Sequence, residues 1–229
     1  MPLVDKVGLL ILTLTLGAQV LYRRSFWFSN FFEKRNQEGK EKISAPGSRR
    51  EYFFLKSLSF LVKVIWVISV IVIFSFLLSD SVRQYRLWSE NPISKHLLPP
   101  DTGISYFLSY VGFRFFAPWV LALLAAILIS WLSQKLNAKF GERFFETEEI
   151  GLMALGIFLV GYPGFFIYLF LVLATGSLIS FFYTLFFKGR LPLYYFWMPM
   201  AIFAMIIENW LVPKLGLTSF LGQFIIGDF

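Results

Sequence analysis

The chain contains no cysteine. Disulfides, thiolate metal sites and cysteine nucleophiles are therefore excluded, while the redox compartment stays open. Its single histidine, His96, cannot build a multi-histidine metal site. No Asn-x-Ser/Thr glycosylation acceptor occurs. Charge is scarce as well: acidic and basic residues make up 15% of the 229 positions, against about a quarter in a soluble domain. Apolar residues fill the space, at 57% hydrophobic and 20% aromatic, with a mean hydropathy of +0.68. That composition describes an integral membrane protein. The apolar runs are continuous, not alternating, which excludes an outer-membrane barrel. The expected fold is all-α: one polytopic transmembrane bundle over 1–229, with about six or seven spans of roughly 20 residues each.

The charge present is mostly positive, with 21 Lys and Arg against 14 Asp and Glu. In a membrane chain such an excess collects in cytoplasmic loops beside anionic headgroups, so the implied partner is the lipid bilayer and not nucleic acid. The first apolar run, about 4–22, is followed and not preceded by its stronger charge, Arg23 and Arg24. It reads as a retained helix entering from outside, not a cleaved signal. The stretch 25–51 holds Lys34, Arg35, Lys40, Lys42, Arg49 and Arg50. It reads as a basic cytoplasmic loop.

A second helix is expected over about 52–79, with Lys56 and Lys63 on one face near its cytoplasmic start, placed to snorkel. A Pro-containing loop follows to Asp101. The run 102–136 is interrupted by Gly112, Arg114 and Pro118. It reads as a short helix to about 116 and a span over 118–136, or as one helix kinked at Pro118. After a loop over 137–149, the apolar run to Phe187 is broken at GYPG, 161–164, where a proline and two glycines favour a turn. A last helix is expected over 192–212, with an interfacial tail over 213–229.

Ionisable residues in or beside hydrocarbon are candidates for function, because burying each costs about 3 kcal/mol. Here they are Arg114, Glu208 and the boundary acids Asp80, Asp101, Glu146, Glu148 and Glu149. Two carboxyls a few Å apart cannot both ionise; one then serves as base toward water and the other as acid toward a carbonyl. Asp80 ends one helix and Glu149 begins another, which suits such a dyad if the two ends share a side. Asp101, Glu148 and Glu146 would support it. Acids at a helix start also complement its dipole and cap it without any chemistry. Glu208 reads as a partner of Lys214 or an interfacial group, and Arg114 as a snorkelling side chain.

The segment FGERFFETEEIGLMALGIFLVGYPGFFIYLF, 140–170, resembles the second catalytic region of the prepilin peptidase family, the membrane aspartic proteases that trim type IV pilin precursors. A Phe-Gly pair falls on Phe140 and Gly141. The family's Gly-x-Gly-Asp motif falls on Glu146, Thr147, Glu148 and Glu149, with a small-residue helix after it. LATGSLISFFYTLFFKGRLPLYYFWMPMAIFA, 173–204, is similar to the family's last hairpin, so the resemblance runs mainly over 135–212. SD at 79–80 and LLPPD at 97–101 are fainter matches to the first catalytic region. The resemblance implies a bacterial cytoplasmic (inner) membrane, no cofactor, no metal, and Asp80 and Glu149 as an acid pair cutting hydrophobic leader peptides. Both motif glycines are Glu here, which removes the backbone freedom of that loop. The family's acids also face the cytoplasm, whereas one helix over 52–79 carries Asp80 outside. The alternatives are a non-catalytic scaffold or assembly subunit of a secretion, pilus or envelope system, and a small transporter or permease subunit.

Overall fold

The computed structural model describes residues 3–37, 49–100, 103–141, 145, 147–187, 194 and 196–214. Among them the chain is mostly helical and contains no strand. The helices are α1 (Leu3–Gln37), α2 (Arg49–Glu90), α3 (Ser105–Lys139), α4 (Thr147–Val160), α5 (Gly164–Phe187) and α6 (Trp197–Lys214). Segments of α1, α2, α3 and α5 are long and apolar enough to cross a membrane. The protein is an all-α integral membrane protein.

Each outer helix buries one stripe and turns the rest outward. On α1 the stripe is Val4, Gly8, Leu12, Thr15 and Gln19, spaced to share one helical face. On α2 it is Val62, Ser69, Ile73 and Leu77. The outward faces carry Leu10, Leu14, Ile71, Leu124, Phe170 and similar residues, more than half exposed, as lipid-facing surfaces require. The inward stripes include small and polar residues, which let helices approach and bond where no water is available. Gln19, buried on α1, donates from Nε2 to the backbone carbonyl of Tyr194 at 2.6 Å. Thr15 and Ser69 return their hydroxyls to their own helices, at 2.7 Å each.

The centre of the bundle is α4, which touches all five other helices. Its residues from Glu149 to Val160 are buried, apart from a half-buried Gly151. A helix apolar on every face can be covered by lipid or by protein, and here the other five helices cover it. With 14 residues it is about 21 Å long, short of the roughly 30 Å hydrocarbon thickness. Gly151 and Gly156 allow the sheath to close: a Cβ on Gly151 would lie 2.9 Å from Val62 Cγ1, and one on Gly156 2.7 Å from Tyr168 Oη.

The break at GYPG is where the sequence places it. α4 ends at Val160 and α5 starts at Gly164. Gly161 takes φ +78°, a left-handed conformation open to glycine, and the Tyr162–Pro163 peptide is cis. The ring of Trp119 covers this turn, 3.5 Å from the position of a Gly161 Cβ.

Several boundaries differ from those expected. α1 continues to Gln37 and α2 starts at Arg49, so the basic stretch 25–51 is helical at both ends; its middle, 38–48, lies outside the described residues. α2 also runs past Asp80 to Glu90, because SVRQYRLWSE has no helix breaker before Asn91-Pro92. The run after Gly103 is one helix, not two. Pro118, which cannot donate a backbone hydrogen bond, is accommodated by a π turn over Gly112–Phe116, where the Ala117 N–H reaches the Gly112 carbonyl. Most of the tail, 215–229, lies outside the described residues.

Candidate functional site

α2 and α4 run in the same direction. Val62 packs on Gly151, and Trp66 meets Phe158 with ring centroids 6.1 Å apart. Glu149, two residues before Gly151, therefore sits at the level where α2 enters the bundle. Asp80 lies roughly 27 Å farther along α2, at 1.5 Å of rise per residue. The dyad expected between Asp80 and Glu149 does not form, because α2, continuous from the level of Glu149, carries Asp80 toward the other end of the bundle. Asp80 instead pairs with Arg83 one turn on, at 3.5 Å, on a surface where the Arg83 side chain is 76% exposed. Glu149 is buried, 4% exposed, in the first turn of the central helix. Glu148 is in the same turn, with its side chain outside the described set; Asp101 and Glu146 are also outside it.

A different pair of acids comes together at the other end of α4. Glu208 on α6 accepts a hydrogen bond from the backbone N–H of Gly164, the first residue of α5. A Cβ on Gly164 would collide with the Glu208 carboxylate. The carboxylate thus occupies the space the glycine leaves and meets the positive end of α5. Asp5 of α1 lies close enough for its charge to act on Glu208, and it accepts a hydrogen bond from the Asn209 side chain. Asn209 Nδ2 also donates to the Met205 carbonyl at 3.0 Å. The expected partner of Glu208, Lys214, places its ammonium over the Trp210 ring instead, 3.8 Å from the centroid. Asp5 was the residue missed. An acid inside the first apolar run is itself the signal that could have found it.

The third feature is a groove of about 870 Å³ between α2 and α3, with α4 as its floor. α2 meets α3 at the π turn and beyond it, where Phe74 lies 6.0 Å from Phe116 and Trp88 lies 5.4 Å from Phe107, centroid to centroid. Toward the Glu149 end α4 stands between the two helices, and the gap opens sideways. Val67 and Ile127 form its rim, 54% and 51% exposed. Lys63 and Gln134 lie at the end nearest the start of α4, and Ala126 and Trp66 farther in. Asn137, also in the wall, is committed to the adjoining loop: it donates to the Phe145 carbonyl at 2.7 Å and accepts from the Phe145 N–H at 3.2 Å.

These features define a membrane-embedded helical bundle with a sheathed central helix, a carboxylate-capped turn at one end and a lateral groove at the other. No family model, curated protein or solved structure matches the chain. Among the described residues, no group of three His, Asp or Glu side chains is placed to hold a metal ion.

Proposed function

We propose that the chain is a non-catalytic membrane scaffold or assembly subunit built on a prepilin-peptidase-like framework, working in a bacterial cytoplasmic membrane beside a secretion, pilus or envelope system. The observation that carries this reading is the distance between Asp80, well along α2, and Glu149, which starts α4 at the level where Val62 of α2 packs on Gly151. A shared-proton mechanism needs both carboxyls within hydrogen-bond reach of one water, and a separation of roughly 27 Å along the axis of α2 speaks against it. Replacement of both motif glycines by Glu146 and Glu148 supports the same reading. Glu149 then acts as a first-turn acid complementing the dipole of the central helix, and the basic stretch 25–51 marks the cytoplasmic end.

The test is a processing assay with the purified full-length chain and a peptide carrying a hydrophobic, basic-flanked leader. No cleavage is expected. Cleavage that disappears in both Asp80→Asn and Glu149→Gln would overturn the reading. A second reading, an endopeptidase working through Asp5 and Glu208, is favoured by the electrostatic influence of Asp5 on Glu208. It requires cleavage that is insensitive to Glu149→Gln and lost in Glu208→Gln.

A further inference from the structure

The lateral groove combines an apolar interior with a cation at one end, and that polarity indicates what it holds. Its inner part is lined by Ala126, Ala154 and the Trp66 ring. Its rim, Val67 and Ile127, is apolar and exposed on the surface that faces lipid. At the end where α2 enters the bundle stands Lys63, an exposed ammonium. No carboxylate among the described residues lining the groove balances it. The other polar groups are mostly occupied: Ser130 donates to the Ala126 carbonyl at 2.7 Å, and Asn137 is taken up by Phe145. Lys63 and the Gln134 amide are left for a visitor at the boundary, the Trp131 indole also lines the groove, and the Trp66 indole N–H in the wall has no partner.

We propose that this groove binds one anionic phospholipid from the adjoining leaflet. Its phosphate sits at Lys63 and Gln134, and an acyl chain lies over Gly151 and Ala154 toward Ala126. A volume of about 870 Å³ falls within the range of small-molecule sites. Basic pockets between membrane helices on the cytoplasmic side are a recurring way of holding anionic headgroups. A partner's transmembrane helix would fill the apolar part equally well, but it would place hydrocarbon or backbone against Lys63, whereas a lipid phosphate neutralises it. The inference is independent of whether the chain is a scaffold or a peptidase.

Native mass spectrometry of the purified full-length chain, in detergent with equal amounts of phosphatidylglycerol and phosphatidylcholine, tests it. One phosphatidylglycerol per chain is expected, preferred over phosphatidylcholine by roughly fivefold, the contribution of one interfacial Lys. Lys63→Gln removes the preference and Lys63→Arg keeps it. Ile127→Trp, which fills the groove mouth from an exposed position, lowers retention of both lipids. Because Lys63 and Ile127 are exposed, neither change disturbs the packed core, and the Arg/Gln pair decides the question even if the Trp variant is lost. Equal retention of the two lipids by the wild type would sink the proposal, as would a preference unmoved by Lys63→Gln. Recovery of a bound polypeptide helix in place of lipid would do the same.

Discussion

The two ends of α4 use carboxylates in different ways. At its start, Glu149 lies in the helix's own first turn, within a run of acids that is conspicuous in the sequence. At its far end, Glu208 arrives from α6, a helix distant in the chain, and closes the turn into α5 by accepting the Gly164 N–H. Among the described residues, the second end brings acids of two helices near each other: the charge of Asp5 on α1 acts on Glu208 on α6. A cluster of acids in sequence thus marks a helix start, whereas isolated acids in separate apolar runs mark a tertiary site. Hydrocarbon explains the contrast: a lone buried carboxylate must find a donor, and in a bundle that donor usually belongs to another helix.

The comparison breaks most sharply at Gly164. Gly164→Ala places a methyl where the Glu208 carboxylate sits, and both overpacking and loss of the hydrogen bond follow. We expect destabilisation of roughly 3 kcal/mol, read from the unfolding midpoint in mixed micelles. An unchanged midpoint would show that Glu208 is not seated on the turn. Gly156→Ala, in the middle of α4, presses on the Tyr168 hydroxyl and should lower stability by about 2 kcal/mol. That hydroxyl is buried without a partner, so adding Tyr168→Phe to the same chain should restore about 1 kcal/mol. A double variant no better than the single one would place the strain elsewhere.

Glu208→Ala leaves the Gly164 N–H without its side-chain acceptor and should cost about 1 kcal/mol, while Glu208→Gln, which keeps an acceptor oxygen, should retain most of that. Equal losses in the two would attribute the effect to charge and not to capping. The smallest response belongs to Asp80→Asn. Its partner Arg83 is largely in solvent, and the change should stay below about 0.5 kcal/mol. A larger loss would mean that Asp80 has a role its surface ion pair does not explain.

Much of the architecture is legible in the sequence. The apolar runs, their length and the GYPG punctuation sufficed for an all-α membrane bundle with a break between α4 and α5. The interruption at Gly112–Pro118 was legible as well, but its outcome was not. A proline can end a helix or be absorbed by a π turn, and the choice depends on packing such as Phe74 against Phe116. The end of α2 was misplaced because Asp80 looks like a helix boundary, yet SVRQYRLWSE continues as an ordinary polar helix. The candidate acids fared worst. Residue type identified carboxylates near the membrane boundary, but nothing local reveals which helix end faces which.

By itself, the sequence determined the solvent in which this protein folds, the helical period of its outer stripes, the position of its sharpest turn and the chemistries closed to it for want of cysteine and histidine. Those are local properties, set by composition, spacing and the backbone freedom of single residues. The tertiary structure alone decided that α4 is the enclosed helix, that Asp80 and Glu149 stand at opposite ends, that Asp5 meets Glu208, and that α2 and α3 part to leave a groove beside Lys63. Each is a relation between helices distant in the chain. A segment apolar on all faces, as α4 is, carries no periodic signal naming its neighbours. The close fits that do name them, Val62 on Gly151 and Glu208 on Gly164, exist only once the helices are packed.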